Sequence, residues 1–169
     1  FTAITIVNVT TMAPSWYVPA LQASFLVAFV FLAPWVGPFA DSRSKADILM
    51  TANVIKGAGA AMMLFNIEPL LSYAIVGLGA AMYSPAKYGI LPELVGERDL
   101  VKANGWVEGS TILAILAGML VGAYLSEHSI TVALVVVIAL YVVSAVTANW
   151  INHQAPPAPA RRSALPHFV

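Results

Sequence analysis

Long apolar runs separated by short polar ones set the pattern of this chain. Residues 1–40 contain no Asp, Glu, Lys or Arg, and residues 69–86 are eighteen more without one, which is about 27 Å as a helix. Both runs are of membrane scale. The pattern predicts spans over about 18–40, 46–67, 69–91, 101–126 and 129–151. Ahead of them, residues 1–11 read as the closing half of one more helix, followed by a turn over 10–17 that holds Pro14 and Ser15. The opening at Phe1, inside an apolar run with no basic segment before it, is read as a cut within that helix.

The joints between spans carry the charge. Asp41, Arg43 and Lys45 follow the 18–40 span, Arg98 and Lys102 lie in a connection over 93–102 with Glu97 and Asp99, and Arg161 and Arg162 follow the last span. The alternate joints, at 10–17, 66–69 and 126–129, hold no Lys or Arg. Short loops rich in Lys and Arg stay on the cytoplasmic side, so these six cations define one face and one orientation. Pro34 and Pro38 inside the first full span are tolerable where neighbouring helices satisfy the freed carbonyls. After Ile151, the run Ala155-Pro156-Pro157-Ala158-Pro159 is too rich in proline to remain helical, and 152–169 are expected to form an extended cytoplasmic linker.

Composition agrees with the pattern. Of 169 residues, 60% are hydrophobic and 9% charged, with a mean hydropathy of +0.83; a soluble domain of this size could not cover itself with so little polar surface. Formal net charge is zero and the eight basic residues are dispersed, which argues against nucleic acid as a partner. There is no cysteine, so disulfide and thiol chemistry are excluded. His128 falls in a turn, and His153 and His167 in the tail; local spacing assembles no metal cluster and no pair of nucleophile and base. No enzyme activity, cofactor or metal is expected.

The stretch Ser84-Pro85-Ala86-Lys87-Tyr88-Gly89-Ile90-Leu91-Pro92 stands out. Pro85 has no N–H, so a helix continuing through it leaves the Ala81 carbonyl unpaired and bends there. Lys87 follows within the last turns of an otherwise uncharged span, with Tyr83 one turn earlier on the same face. It reads as a binding lysine in a shaped pocket or as a lysine snorkelling to the inner face. Lys56 falls near the bilayer midplane, where a charge costs about 2.5–3.5 kcal/mol on insertion scales and must face the bundle interior. It reads as a substrate or coupling site, or as half of a structural ion pair. Glu108 lies one to two turns below the cytoplasmic face; it pairs with Lys56 or Lys87, receives a cationic head group, or is a helix-end carboxylate. Ser110, Ala114, Gly118 and Gly122 recur at spacings of four, a small-residue stripe along which another helix is expected to pack closely.

Around the first charged joint, Gly37-Pro38-Phe39-Ala40-Asp41-Ser42-Arg43-Ser44-Lys45 resembles the signature between the second and third helices of major facilitator superfamily transporters. Ser42 and Ala46 stand where that signature favours basic residues. The resemblance implies that Gly37, Asp41, Arg43 and Lys45 form a latch against the second half of such a transporter. Residues 83–94, with Val101-Lys102-Ala103-Asn104-Gly105 and Glu108-Gly109-Ser110-Thr111, are more specifically similar to the bacterial lysophospholipid transporters, from the second span through the sixth.

That resemblance implies an all-α integral membrane fold, a partial six-helix half of a major facilitator transporter. The end of helix one and helices two to six would occupy 1–151, in the bacterial inner membrane. It implies transport of lysophospholipid, chiefly lysophosphatidylethanolamine, to an acyltransferase that remakes the diacyl lipid. Membrane lipid and a partner or fused acyltransferase are the remaining partners it implies. Lys87 would take the phosphate; Glu108, or an acid in the first helix, would take the ammonium. Lys56 and Tyr83 complete the candidate binding set. A drug or small-metabolite porter of the same fold, and a noncatalytic membrane anchor for an acyltransferase, are the alternative readings.

Overall fold

The computed structural model describes Pro14 and residues 16–154, and among these every regular element is a helix. The expected end of helix one (1–11) and the linker beyond Gln154 lie outside the described residues. Five helices follow in order: α1 (Tyr17–Ser42), α2 (Lys45–Leu64), α3 (Pro69–Gly89), α4 (Leu91–His128) and α5 (Ile130–Gln154). They match the predicted spans, with a few differences, the first being that α2 stops at Leu64 and not at 67. The connection expected over 93–102 is helical, interrupted only at Gly96, whose φ of 70° and ψ of 174° suit glycine. Helix α3 ends at Gly89, and α5 continues past Ile151 to Gln154.

Local chemistry sets the helix ends. Ser44 caps α2 by accepting from the Asp47 N–H at 3.1 Å, and the acidic Asp47 sits in the first turn, where the helix dipole favours it. At the other end Asn66 takes φ 57°, with Ile67 N–H bonded to Met62 O at 3.0 Å and Asn66 N–H to Met63 O at 3.1 Å. These are the paired bonds of a Schellman cap, with asparagine in the left-handed position. Pro69 then occupies the first turn of α3, where its missing N–H costs nothing. The Tyr17 hydroxyl donates to Glu68 and ties the start of α1 to this joint.

Helix α3 is the centre of the bundle. It packs along α1 on one side and α2 on the other, α2 packs in turn on α5, and the body of α4 touches α3 and α5 only lightly. Two buried clusters lie at opposite ends. One joins Ala46, Ile48, Leu49, Ala86, Ile90 and Ala148. The other joins Leu21, Met63 and Leu134 with Tyr17, Leu70 and Ile130. The first therefore unites the start of α2 with the ends of α3 and α5, and Lys45 reaches the backbone at Gly89 there. Among the described residues the two cation-rich joints thus share one end of the bundle.

The outer surface is apolar. Val101, Leu113 and Leu120 on α4 and Leu140, Val143 and Val146 on α5 are all more than half exposed. A soluble protein does not carry apolar surface on that scale. Arg98–His128 and Ile130–Trp150 are each long and apolar enough to cross a membrane, and very little of either is buried within the chain.

The small-residue stripe corrects one expectation. Outside their own helix backbone, no atom among the described residues lies within 4 Å of where a Cβ would stand on Gly118 or Gly122, so no described helix packs against them. The close approaches are made on α3 instead. A Cβ on Gly77 would meet Phe25 O at 2.5 Å, and one on Gly79 would meet Ala52 O at 2.7 Å.

Candidate functional site

Four helices line an open cavity of about 880 Å³ towards the cation-rich end. Helix α2 contributes Asn53 and Lys56, α3 contributes Tyr83 and Lys87, α4 contributes Ser110 and Thr111, and α5 contributes Tyr141 and Ser144. Three of the four binding residues expected from sequence, Lys56, Tyr83 and Lys87, line this one cavity. The packing explains why: with α3 between α1 and α2, the face of α3 bearing Tyr83 and Lys87 one turn apart looks towards α4 and α5.

Lys87 points across to α4 rather than snorkelling away. Its Nζ donates to Thr111 Oγ1 at 2.8 Å and lies 4.0 Å from Glu108 Oε1. The same carboxylate oxygen accepts from the Tyr88 hydroxyl at 2.6 Å. Lys87 is mostly covered, with 18% of its side chain exposed, whereas Glu108 is half exposed at the rim. Of the two partners open to Glu108 from sequence, the structure pairs it with Lys87 and not with Lys56.

Lys56 is held differently. Its Nζ stands 4.0 Å from the centroid of the Tyr83 ring and 5.1 Å from that of Tyr141. Both rings lie within the reach of a cation–π contact, and among the described residues no carboxylate pairs with Lys56. A structural ion pair is therefore not what holds this lysine here. Beside it, the buried Asn53 donates from Nδ2 to Ser144 Oγ at 2.9 Å and joins α2 to α5.

This bond yields a prediction. Ser144→Ala leaves a buried amide unpaired and is expected to cost about 1–2 kcal/mol, read as a lower thermal midpoint of the full-length protein in detergent. Adding Asn53→Leu should recover part of that loss, because removing both polar partners costs less than orphaning one.

A second cavity of about 360 Å³ adjoins the first and shares Asn53 and Tyr141 with it. Its other walls are apolar, including Val54, Ala58, Ile138, Val142 and Val146. Val54, Val142 and Val146 are more than half exposed, so this groove opens sideways between α2 and α5 at mid-span. A chamber that carries two lysines thus lies beside an apolar lateral groove, with Asn53 and Tyr141 in the wall of both.

The profile of the Major Facilitator Superfamily matches residues 2–167. The chain belongs to the Major Facilitator Superfamily. It is 49% identical over 136 residues, 80% of this chain and 33% of the relative, to the lysophospholipid transporter LplT of Yersinia enterocolitica. The protein of the same name from Klebsiella pneumoniae is 46% identical over 149 residues, 88% of this chain and 36% of the relative. A third, from Serratia proteamaculans, is 48% identical over 136 residues, 80% of this chain and 34% of the relative. The chain spans about a third of the length of the curated relatives it matches. No solved structure matches it.

The segment expected from sequence to form a latch spans the joint between α1 and α2. Gly37 and Asp41 lie in the last turns of α1, and their side chains are outside the described residues; Arg43 follows the helix and Lys45 opens α2. Sequence reasoning did not find Asn53, Tyr141 or Ser144 as site residues. Tyr141 and Ser144 sit three apart on one face of an otherwise aliphatic helix, and that spacing was the available signal.

Proposed function

We propose that the full-length protein carries lysophospholipid, chiefly lysophosphatidylethanolamine, across the bacterial inner membrane by alternating access, and so supplies an acyltransferase that restores the diacyl lipid. One observation carries this reading: a chamber lined by Lys56 and Lys87 lies next to an apolar groove open to the side, the two sharing Asn53 and Tyr141. A single-chain lipid has the matching form, with a charged head and one apolar tail. The printed names of the relatives point to the same cargo.

In this reading the phosphate displaces Thr111 from Lys87 and takes a charge-assisted bond from Nζ. Glu108, within 4.0 Å of that lysine and exposed at the rim, receives the ammonium. Lys56 adds positive potential deeper in the chamber. The acyl chain lies in the lateral groove. Binding and release need no covalent step, so the protein acts as a carrier and not an enzyme. Gly37, Asp41, Arg43 and Lys45 latch one state against the second half of the transporter. The residues beyond Gln154 form the cytoplasmic link to that half.

The test is uptake of labelled lysophosphatidylethanolamine by spheroplasts expressing the full-length protein, against spheroplasts lacking it. Protein-dependent uptake is expected. No uptake by well-expressed protein would reject the lipid cargo in favour of a small-solute porter.

A further inference from the structure

Lys56 occupies a place built for a cation. Tyr83 from α3 and Tyr141 from α5 present their rings to one point, and the ammonium at that point comes from the protein itself. Two aromatic faces around one charge are how proteins recognise ammonium and methylated ammonium ligands. The cage opens on the same chamber as Lys87. Tyr83 and Lys87 are one helical turn apart, about 5–6 Å, comparable to the two-carbon reach from phosphate to nitrogen in a choline or ethanolamine head. A head group whose phosphate meets Lys87 therefore brings its own cation to the Tyr83 ring. Lys56 is already there.

We propose that Lys56 sets head-group selectivity: it fills the Tyr83–Tyr141 cage with a resident ammonium and bars a ligand cation, trimethylammonium above all, from that position. A head group without a cation is not penalised, and the smaller ethanolamine ammonium is left the route to Glu108. The assignment to head groups rests on the lipid-transport reading; the cage itself does not.

Two measurements separate them. First, purified full-length protein is heated with tetramethylammonium chloride or with sodium chloride at equal concentration. Lys56→Ala should gain a few degrees of thermal midpoint specifically from tetramethylammonium. Wild type and Lys56→Arg, whose cages are filled, should gain nothing, and the double variant with Tyr141→Leu should lose the gain. Equal midpoints in the two salts for Lys56→Ala would overturn the cage, whatever the cargo proves to be. If Lys56→Ala does not accumulate, Lys56→Ser, which also clears the space between the two rings, is read in the same way.

Second, spheroplast uptake of labelled lysophosphatidylcholine is divided by that of lysophosphatidylglycerol. Lys56→Ala should raise this ratio on the order of fivefold, the scale of one cation–π contact still partly open to water, and Lys56→Arg should leave it at the wild-type value. An unchanged ratio in a Lys56→Ala protein that still takes up the glycerol lipid would overturn the selectivity role. Absence of uptake of any lysophospholipid by wild type, with the tetramethylammonium effect intact, would sink the transport reading and leave the cage standing.

Discussion

Lys87→Ala in the full-length protein is expected to lower uptake of lysophosphatidylethanolamine by about tenfold to a hundredfold at matched membrane abundance. The estimate follows from losing one charge-assisted hydrogen bond to phosphate in a mostly covered site, about 1.5–3 kcal/mol. Lys87 is held by Thr111 at 2.8 Å and faces Glu108 at 4.0 Å. Thr111→Val removes only a holding partner, and its effect should be several-fold smaller.

A purely structural role for Lys87 makes a different forecast. If the lysine served only to neutralise Glu108, then Glu108→Gln would relieve the unpaired carboxylate and bring uptake in the Lys87→Ala background up to that of Glu108→Gln alone. If Lys87 binds phosphate, the double variant stays well below Glu108→Gln alone. Normal uptake by Lys87→Ala would discard the site and keep the cargo. The same single variant also tests the anchor reading, in which lipid remodelling continues without Lys87.

Much of this arrangement was legible in the sequence, for reasons that can be named. A bilayer demands long apolar segments and penalises charge, so the few charged positions mark either joints or sites. Arg43, Lys45, Arg98 and Lys102 marked joints, while Lys56 and Lys87 marked the site. What local pattern does not carry is which faces meet. Lys56 and Glu108 have opposite charge and could pair as far as sequence shows, yet Glu108 lies with Lys87 and Tyr88 while Lys56 lies between two tyrosines. Tyr141 was hidden among aliphatic neighbours because its role depends on α5 packing on α2. The connection over 93–102 looked like a loop because charge and helix are easily set in opposition, whereas a single glycine was enough to turn the chain.

Small residues illustrate the same limit more sharply. The spacing of four at Gly118 and Gly122 announces a surface that permits close approach, but spacing does not say that a partner is present. Gly77 and Gly79, only two apart, point to roughly opposite sides of α3, since each residue advances about 100° around a helix. One admits α1 and the other admits α2. Two residues that match no GxxxG pattern are therefore what allow α3 to stand at the centre.

Gly77→Val is expected to be among the most damaging single changes in this half of the protein. Even the first added carbon would stand 2.5 Å from Phe25 O and 3.0 Å from Phe25 Cα, both backbone atoms that no side-chain rotation can move aside. Helix α1 would have to retreat, opening the seam with α3 and the Phe25–Tyr73 ring contact, now 5.3 Å between centroids. Overpacking of this kind costs about 1–3 kcal/mol where side chains can yield, and more is expected where two backbones collide. Full-length Gly77→Val should accumulate poorly in membranes, and Gly77→Ala should lower the thermal midpoint in detergent by several degrees. Gly79→Ala should act on the site as well, because its Cβ would press on Lys56 Cγ at 2.7 Å and shift the lysine between its tyrosines. Its signature is a change in head-group ratio alongside lost stability, where Gly77→Ala shows the stability loss alone. Wild-type stability in Gly77→Ala would mean that α1 and α3 do not approach as described.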